Sequence, residues 1–245
     1  MKYDIIGDIH GCYDELMELL EKLGYRYDNG IHIHPDGRQP AFVGDAMDRG
    51  PNSLAVMQLM FQRQDQGVLF YSPGNHCDKL YRFMKGNSVQ LLHGLEITIA
   101  EWQALQKEEQ QEFRRRYIRF YEELPQYLVL RDDLIVAHAG LKKDMIGEPL
   151  SRRIALFTLY GDITGNFHAD GRPVRRDWAK SYRGEPWVVY GHTPTEKPYL
   201  INRTVNIDTG CVFGGDLTAF RFPEKELVGV PSRQPYQPQR FHRFI

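Results

Sequence analysis

Short apolar runs alternate with small clusters of Gly, Asp, His and Asn along most of this chain. Five junctions stand out. They read Tyr3-Asp-Ile-Ile-Gly-Asp8-Ile-His10-Gly11, Ala41-Phe-Val-Gly-Asp45-Ala-Met-Asp48-Arg49-Gly50, Val68-Leu-Phe-Tyr-Ser-Pro-Gly74-Asn75-His76, Leu134-Ile-Val-Ala-His138-Ala-Gly140 and Trp187-Val-Val-Tyr-Gly191-His192-Thr-Pro194. A run of four or five apolar residues bounded by Gly or Pro reads as a buried strand, so each cluster hangs on a strand end. Between them the period changes. Leu16, Leu19, Leu20 and Leu23 share one face of a helix over Tyr13 to Leu23, and Gly24 stops it. Asn29-Gly30 and Pro35-Asp-Gly37 flank an Ile-His-Ile run that reads as a hairpin. A second helix runs from an Asn52 or Ser53 cap through Leu54, Met57, Met60 and Phe61. The opening third therefore reads strand, helix, hairpin, strand, helix, strand.

From about residue 79 to 130 the texture becomes helical. Thr98-Ile-Ala-Glu101 has the pattern of a capping box, and Leu105, Phe113, Tyr117, Phe120, Tyr121 and Leu124 follow before Pro125. This reads as a helical insertion lying over the core or capping a site. Further strands are expected around Val188, Val205 and Thr218, and the Pro-, Gln- and Arg-rich tail after Val230 is expected to wrap the surface. No linker divides the chain. Residues 1–245 read as one layered α/β sandwich with a helical insertion.

Composition narrows the function more than the fold. Of 245 residues, 42% are hydrophobic and 26% charged, which is ordinary for a globular protein. A net charge of −1 gives no electrostatic footprint for duplex nucleic acid, so no stable duplex partner is expected. No stretch approaches a membrane span, no basic segment and apolar core open the chain, and three cysteines do not form a disulfide framework. A cytoplasmic protein with no membrane partner is expected. Each cysteine abuts a polar cluster: Cys12, Cys77 and Cys211. Small side chains suit crowded turns; the sharper alternative is a thiol near metal that can be oxidised or recruited as a soft ligand.

The clusters carry the chemistry. Asp8 and His10 alternate along a strand end and so point from one face. Asp45 can bridge two cations, and Asn75, His138 and His192 each offer a neutral ligand from a different strand. Two ions about 3.5–4 Å apart lower the pKa of a shared water and hold a phosphoryl group in line for attack. His76 stands next to Asn75 but outside that count, and is the acid expected to protonate a leaving oxygen; the alternative is a further ligand or a supporting group. Asp48 is placed to orient and charge its imidazole. Arg49 can grip phosphate oxygens in a fork, or close the turn at Gly50-Pro51 through a salt bridge. Arg114-Arg115-Arg116 reads as a solvated helix face, and Asp162, His168 and Asp177 as loop chemistry. Tyr160, Trp178 and Tyr190 read as core aromatics before purine-stacking groups.

At these residues the sequence resembles the calcineurin-like metallophosphoesterases, in their phosphoprotein-phosphatase branch. The signatures Gly-Asp-x-His-Gly, Gly-Asp-x-x-Asp-Arg-Gly and Gly-Asn-His-Glu stand at Gly7–Gly11, Gly44–Gly50 and Gly74–Cys77, with Cys77 in place of Glu. His138-Ala-Gly and Gly191-His192 are the later motifs. Leu159-Tyr-Gly-Asp-Ile-Thr-Gly165, the stretch ending at Trp178 and Asn206-Ile-Asp-Thr-Gly-Cys-Val-Phe213 resemble a bacterial group of asymmetrical bis(5′-nucleosyl)-tetraphosphatases. The resemblance implies a four-layer αββα sandwich and two divalent transition-metal ions, nickel or manganese first, with iron or zinc also compatible. It implies that Asp8, His10 and Asp45 hold one ion and Asp45, Asn75, His138 and His192 the other. It further implies Arg175 as a second phosphate-binding residue and Asp208 as a group supporting His192. The implied substrate is a dinucleoside polyphosphate, cut to ATP and AMP. A phosphatase acting on phospho-Ser, -Thr or -Tyr with the same ions is the alternative, and an idle nucleotide-binding module sits poorly with an intact ligand set.

Overall fold

The computed structural model describes residues 1–167 and 173–242. Its first half runs β1 (Tyr3–Ile6), α1 (Tyr13–Leu23), β2 (Arg26–Asp28), β3 (Ile31–Ile33), β4 (Gln39–Phe42), α2 (Ser53–Asp65), β5 (Phe70–Tyr71), α3 (Asn75–Met84), α4 (Leu95–Gln103) and α5 (Lys107–Glu123). The second half runs β6 (Leu128–Arg131), β7 (Leu134–Val136), α6 (Arg152–Tyr160), β8 (Ile163–Phe167), β9 (Pro173–Arg175), β10 (Trp187–Tyr190), β11 (Tyr199–Ile201), β12 (Thr204–Asn206), β13 (Asp216–Phe222) and β14 (Glu226–Pro231). Two five-stranded sheets result, ordered β14-β13-β1-β4-β5 and β11-β12-β10-β7-β6. Each has a parallel centre, β1-β4-β5 in one and β12-β10-β7 in the other, extended by antiparallel edge strands.

Side-chain alternation sorts these strands into layers. Ile5, Ala41, Val43, Val136, Val189 and Val205 point between the sheets and form a dry central core. Their neighbours Ile6 and Phe42 point the other way, onto Leu16, Leu20, Val56, Met60 and Phe120 of the helices. On the second sheet Ile135, Val188 and Tyr190 pack outward against Ile154, Phe157 and Trp178. The architecture is the expected αββα sandwich. Its outer layers are unequal: five helices cover the first sheet, while α6 and two 3₁₀ turns, Lys143–Met145 and Trp178–Ser181, cover the second. No helix among the described residues is long and apolar enough to cross a membrane.

The helical stretch lies over the core, one of the two placements expected for it, but starts before residue 79. α3 begins at Asn75, inside the third cluster, and α5 buries Tyr117 and Phe120 in the same core as α1 and α2. The Thr98–Glu101 capping box is also corrected. Thr98 lies inside α4, and Glu101 accepts the N–H groups of Ser53 and Leu54, at 3.0 and 2.9 Å, at the start of α2. The capping box instead joins Gln106 and Glu109 at the head of α5. A tertiary contact has taken over a local pattern. The hairpin at Asn29-Gly30 and the Gly24 stop form as expected, and the tail adds β14 before leaving regular structure for a single 3₁₀ turn at Pro238–Arg240.

Candidate metal centre

Five parallel strands and one helix start deliver the expected ligands to one edge of the sandwich. Backbone bonds tie their ends together: His10 N–H to Asp45 O at 2.9 Å, Gly11 N–H to Ala46 O at 2.8 Å, and Gly191 N–H to His138 O at 2.7 Å. The chain then turns sharply at the functional side chains. His10, Asp45, Asp48, Arg49 and His192 all have positive φ, between 43° and 72°. Asp and His tolerate this left-handed region better than branched residues do, and each such position costs of order 1–3 kcal/mol. Two glycines make room for the Asp45 and Asp8 carboxylates. A Cβ on Gly74 would lie 2.0 Å from Asp45 Oδ1, and one on Gly191 would lie 2.0 Å from Asp8 Oδ1.

Asp45 is the hub. Its carboxylate lies 3.3 Å from His138 Nε2 and 3.9 Å from His10 Nε2, and it accepts the His76 N–H at 3.1 Å. His138 Nε2 is in turn 3.1 Å from both Asn75 Oδ1 and His192 Nδ1. Asp8 accepts the His192 N–H at 3.2 Å and lies 4.0 Å from His138 Nδ1. Donor atoms of Asp45, His138 and His192 thus form one compact group, and those of His10, Asp45 and His76 another. Asp8, His10, Asp45, Asn75, His138 and His192 all meet here, from elements far apart in sequence.

Backbone carbonyls aim the imidazoles. His10 Nδ1 donates to Met47 O at 2.7 Å and His138 Nδ1 to Val43 O at 2.9 Å, turning each Nε2 toward the centre. His10 Nε2 accepts from the Arg49 guanidinium at 2.8 Å, so its lone pair faces that group. The buried His192 Nε2 has no hydrogen-bond partner among the described residues. Burial drives Asp8 well above the usual carboxylate range, and the neighbouring Asp208 adds to this. Burial, with Arg49 and His76, drives His10 well below the usual imidazole value. Against the same burial, Asp45 draws the His138 pKa up to about 9. The carboxylates set up a potential that attracts positive charge. Oxygen and imidazole donors, the buried and unpartnered His192 Nε2 and that potential fit divalent transition-metal ions.

His76 stands beside this set. Its Nδ1 donates to Asp48 Oδ2 at 2.6 Å, and its ring meets His10 edge-to-face at 4.8 Å between centroids. Asp48 is fully buried and anchored twice: Thr98 Oγ1 donates to its Oδ1 at 2.6 Å, and its own N–H donates to Ser53 Oγ at 3.1 Å. Arg49 spans from His10 to His93 O, 3.2 Å from its Nε, with its guanidinium 5.3 Å from the Phe213 ring centroid. The turn-closing salt bridge is not among its contacts.

The remaining expected residues fall in different places. Arg175 ends β9, where its Nε donates to Tyr160 O at 3.0 Å and its charge helps depress the His192 pKa. Asp208 is buried, accepts the Gly210 N–H at 3.0 Å and is pushed up to about 6 by burial; its charge acts on Asp8, where support of His192 was expected. Asp162 pairs with Lys142 at 2.6 Å and Asp177 accepts from Tyr199 at 2.8 Å, as loop residues do; His168 lies outside the described residues. Arg115 and Arg116 pair with Glu112 and Asp65 on helix faces. Trp178 and Tyr190 are core aromatics. All three cysteines are buried. Cys77 lies 3.2 Å from Tyr71 Oη and 4.0 Å from Asp45 Oδ1, and burial with Asp45 pushes its thiol up to about 12. The site contacts of Thr98, Ser53, Met47 and Val43 have no signature in the sequence, because each is a tertiary contact no short motif encodes.

Known proteins place this edge in context. The calcineurin-like phosphoesterase model matches residues 1–206. Proteins named bis(5′-nucleosyl)-tetraphosphatase PrpE [asymmetrical] align along the whole chain. The one from Geobacillus thermodenitrificans is 57% identical over 245 residues, covering 100% of both chains. The one from Bacillus subtilis is 53% identical over 242 residues, covering 98% of this chain and 99% of its own. A crystal structure of a putative diadenosine tetraphosphatase matches 94% of this chain and 93% of its own with a TM-score of 0.63 at 23% identity, a likeness of fold. With the family model matching residues 1–206, the sandwich shared and relatives aligned end to end, the chain belongs to the calcineurin-like phosphoesterase family.

Proposed function

We propose that this chain is an asymmetrical bis(5′-nucleosyl)-tetraphosphatase that hydrolyses diadenosine tetraphosphate to ATP and AMP. The observation that carries the reaction class is the convergence of Asp8, His10, Asp45, Asn75, His138 and His192 on one edge with the His76–Asp48 pair beside them. Support for the substrate comes from the relatives of that name, 53% and 57% identical along the chain. Asp8, His10 and Asp45 hold one ion, and Asp45, Asn75, His138 and His192 the other, with nickel or manganese suited to such nitrogen and oxygen donors. When bound there, two divalent ions would lower the pKa of water and offset phosphoryl charge.

The chain's own groups do the rest. Arg49 grips phosphate oxygens beside His10, and Arg175 does so on the His192 side. His76 delivers its Nε2 proton to the departing phosphate oxygen, while Asp48 fixes the ring through Nδ1 and stabilises its charged form. Burial of the ligands excludes bulk water and strengthens these electrostatic contacts. The test pairs metal analysis of protein purified without added ions with chromatography of the products. Two equivalents of a divalent ion and equimolar ATP and AMP are expected. Two ADP per substrate, or faster turnover of a phosphopeptide, would overturn the reading.

A further inference from the structure

The C-terminal tail folds back onto the rim of the metal centre. Its path is set by close contacts: Gln237 N–H donates to Phe213 O at 2.9 Å, and His242 N–H donates to Pro194 O at 2.7 Å, two residues beyond His192. Gly214, with φ at 82°, lets the tail approach, since a Cβ there would lie 2.4 Å from Tyr236 Cα. The docked segment carries Arg240, whose guanidinium lies 5.3 Å from the Phe213 ring centroid. Arg49 lies at the same 5.3 Å from that centroid. The two guanidinium groups therefore share one aromatic support. Among the described residues Arg240 has no carboxylate partner. Nearby, Tyr236 is 57% exposed and stacks on Phe241 with ring centroids 5.3 Å apart.

We propose that this tail is the distal half of the substrate site, with Arg240 gripping the outer phosphates of a dinucleoside polyphosphate and Tyr236 stacking on its far base. An arginine fork matches phosphate oxygens, and an exposed aromatic face accepts any purine without reading its edge. A phosphomonoester offers nothing that reaches either group. The family model ends at residue 206, whereas the PrpE relatives align through the tail, so the segment belongs to the part of the chain shared with the tetraphosphatases.

The inference rests on the tetraphosphatase reading, and its test keeps the two apart. Arg240→Ala and Tyr236→Ala are assayed on diadenosine tetraphosphate and on p-nitrophenyl phosphate, with ATP as inhibitor of the latter. KM for the dinucleotide and the inhibition constant for ATP are expected to rise about tenfold, with kcat for the dinucleotide little changed, and Arg240→Lys to recover part of the loss. An equal loss on both substrates would mark the tail as structural and overturn the proposal, as would unchanged ATP inhibition. If the unmodified enzyme leaves diadenosine tetraphosphate intact, the tetraphosphatase reading fails, and the ATP measurement still decides the tail.

Discussion

The two sheets present different walls to the same centre. The first, through the ends of β1, β4 and β5, brings Asp8, His10, Asp45, Asp48, Arg49, Asn75 and His76, which include most of the charge and the His76–Asp48 pair. The second, through β7, β10 and β12, brings His138, His192 and Asp208. Each wall is built from parallel neighbours, so the same local geometry serves both. The difference is chemical. One wall carries the paired His76 and Asp48 beside Arg49; the other carries the imidazoles of His138 and His192 and the buried Asp208 carboxylate. Division of labour between the walls is the lesson, and it can be broken by substitution.

The largest effect is expected where the walls meet. Asp45 touches His10, His138 and the His76 backbone at once, so Asp45→Asn would remove the anionic ligand that the two proposed ions share. Activity should fall on the order of 10³-fold or more, and metal content should fall at both sites together. His192→Ala acts on the second wall alone and should lose one equivalent while the other stays bound. Plasma mass spectrometry of the dialysed variants separates these outcomes. Retention of both ions by Asp45→Asn would end its role as a bridge, and loss of both by His192→Ala would end the two-wall division.

Next comes the proton-handling pair on the first wall. His76→Asn should keep both metal ions yet lose about 10²–10⁴-fold in kcat. The loss should grow with the basicity of the leaving group, so an alkyl phosphomonoester suffers more than a phosphoanhydride. A metal-depleted His76→Asn protein would make His76 a ligand, and the acid role would fall.

The convergence of Asp8, His10, Asp45, Asn75, His138 and His192 was legible in the sequence because each sits within a few residues of the strand that aims it. An apolar run, a glycine and an Asp, His or Asn are local features, and the turns they make are local as well. The same holds for α1, α2, the hairpin and the strands around Val188, Val205 and Thr218. What was misread depends on contacts across the fold. Thr98 and Glu101 have the spacing of a capping box, yet the first anchors Asp48, 50 residues away, and the second caps α2. The tail showed no periodicity, and its seat on Phe213 and Pro194 is set by backbone hydrogen bonds that composition does not reveal.

Thr98 offers the smallest and finest test of the first wall. Its hydroxyl donates to Asp48 at 2.6 Å, and Asp48 is fully buried, so removing the hydroxyl leaves a carboxylate oxygen short of a partner. Thr98→Val should cost about 1–3 kcal/mol of stability, and its kcat should drop about tenfold with both ions and KM retained. Stability alone would not distinguish positioning from packing. The leaving-group series does: if Thr98 acts through Asp48 on His76, the loss in Thr98→Val rises with leaving-group basicity just as in His76→Asn, and Thr98→Ser restores the flat response. A loss equal across the series, with Thr98→Ser no better than Thr98→Val, would reduce Thr98 to a packing residue and leave Asp48 oriented by the Ser53 hydroxyl and its own tight turn.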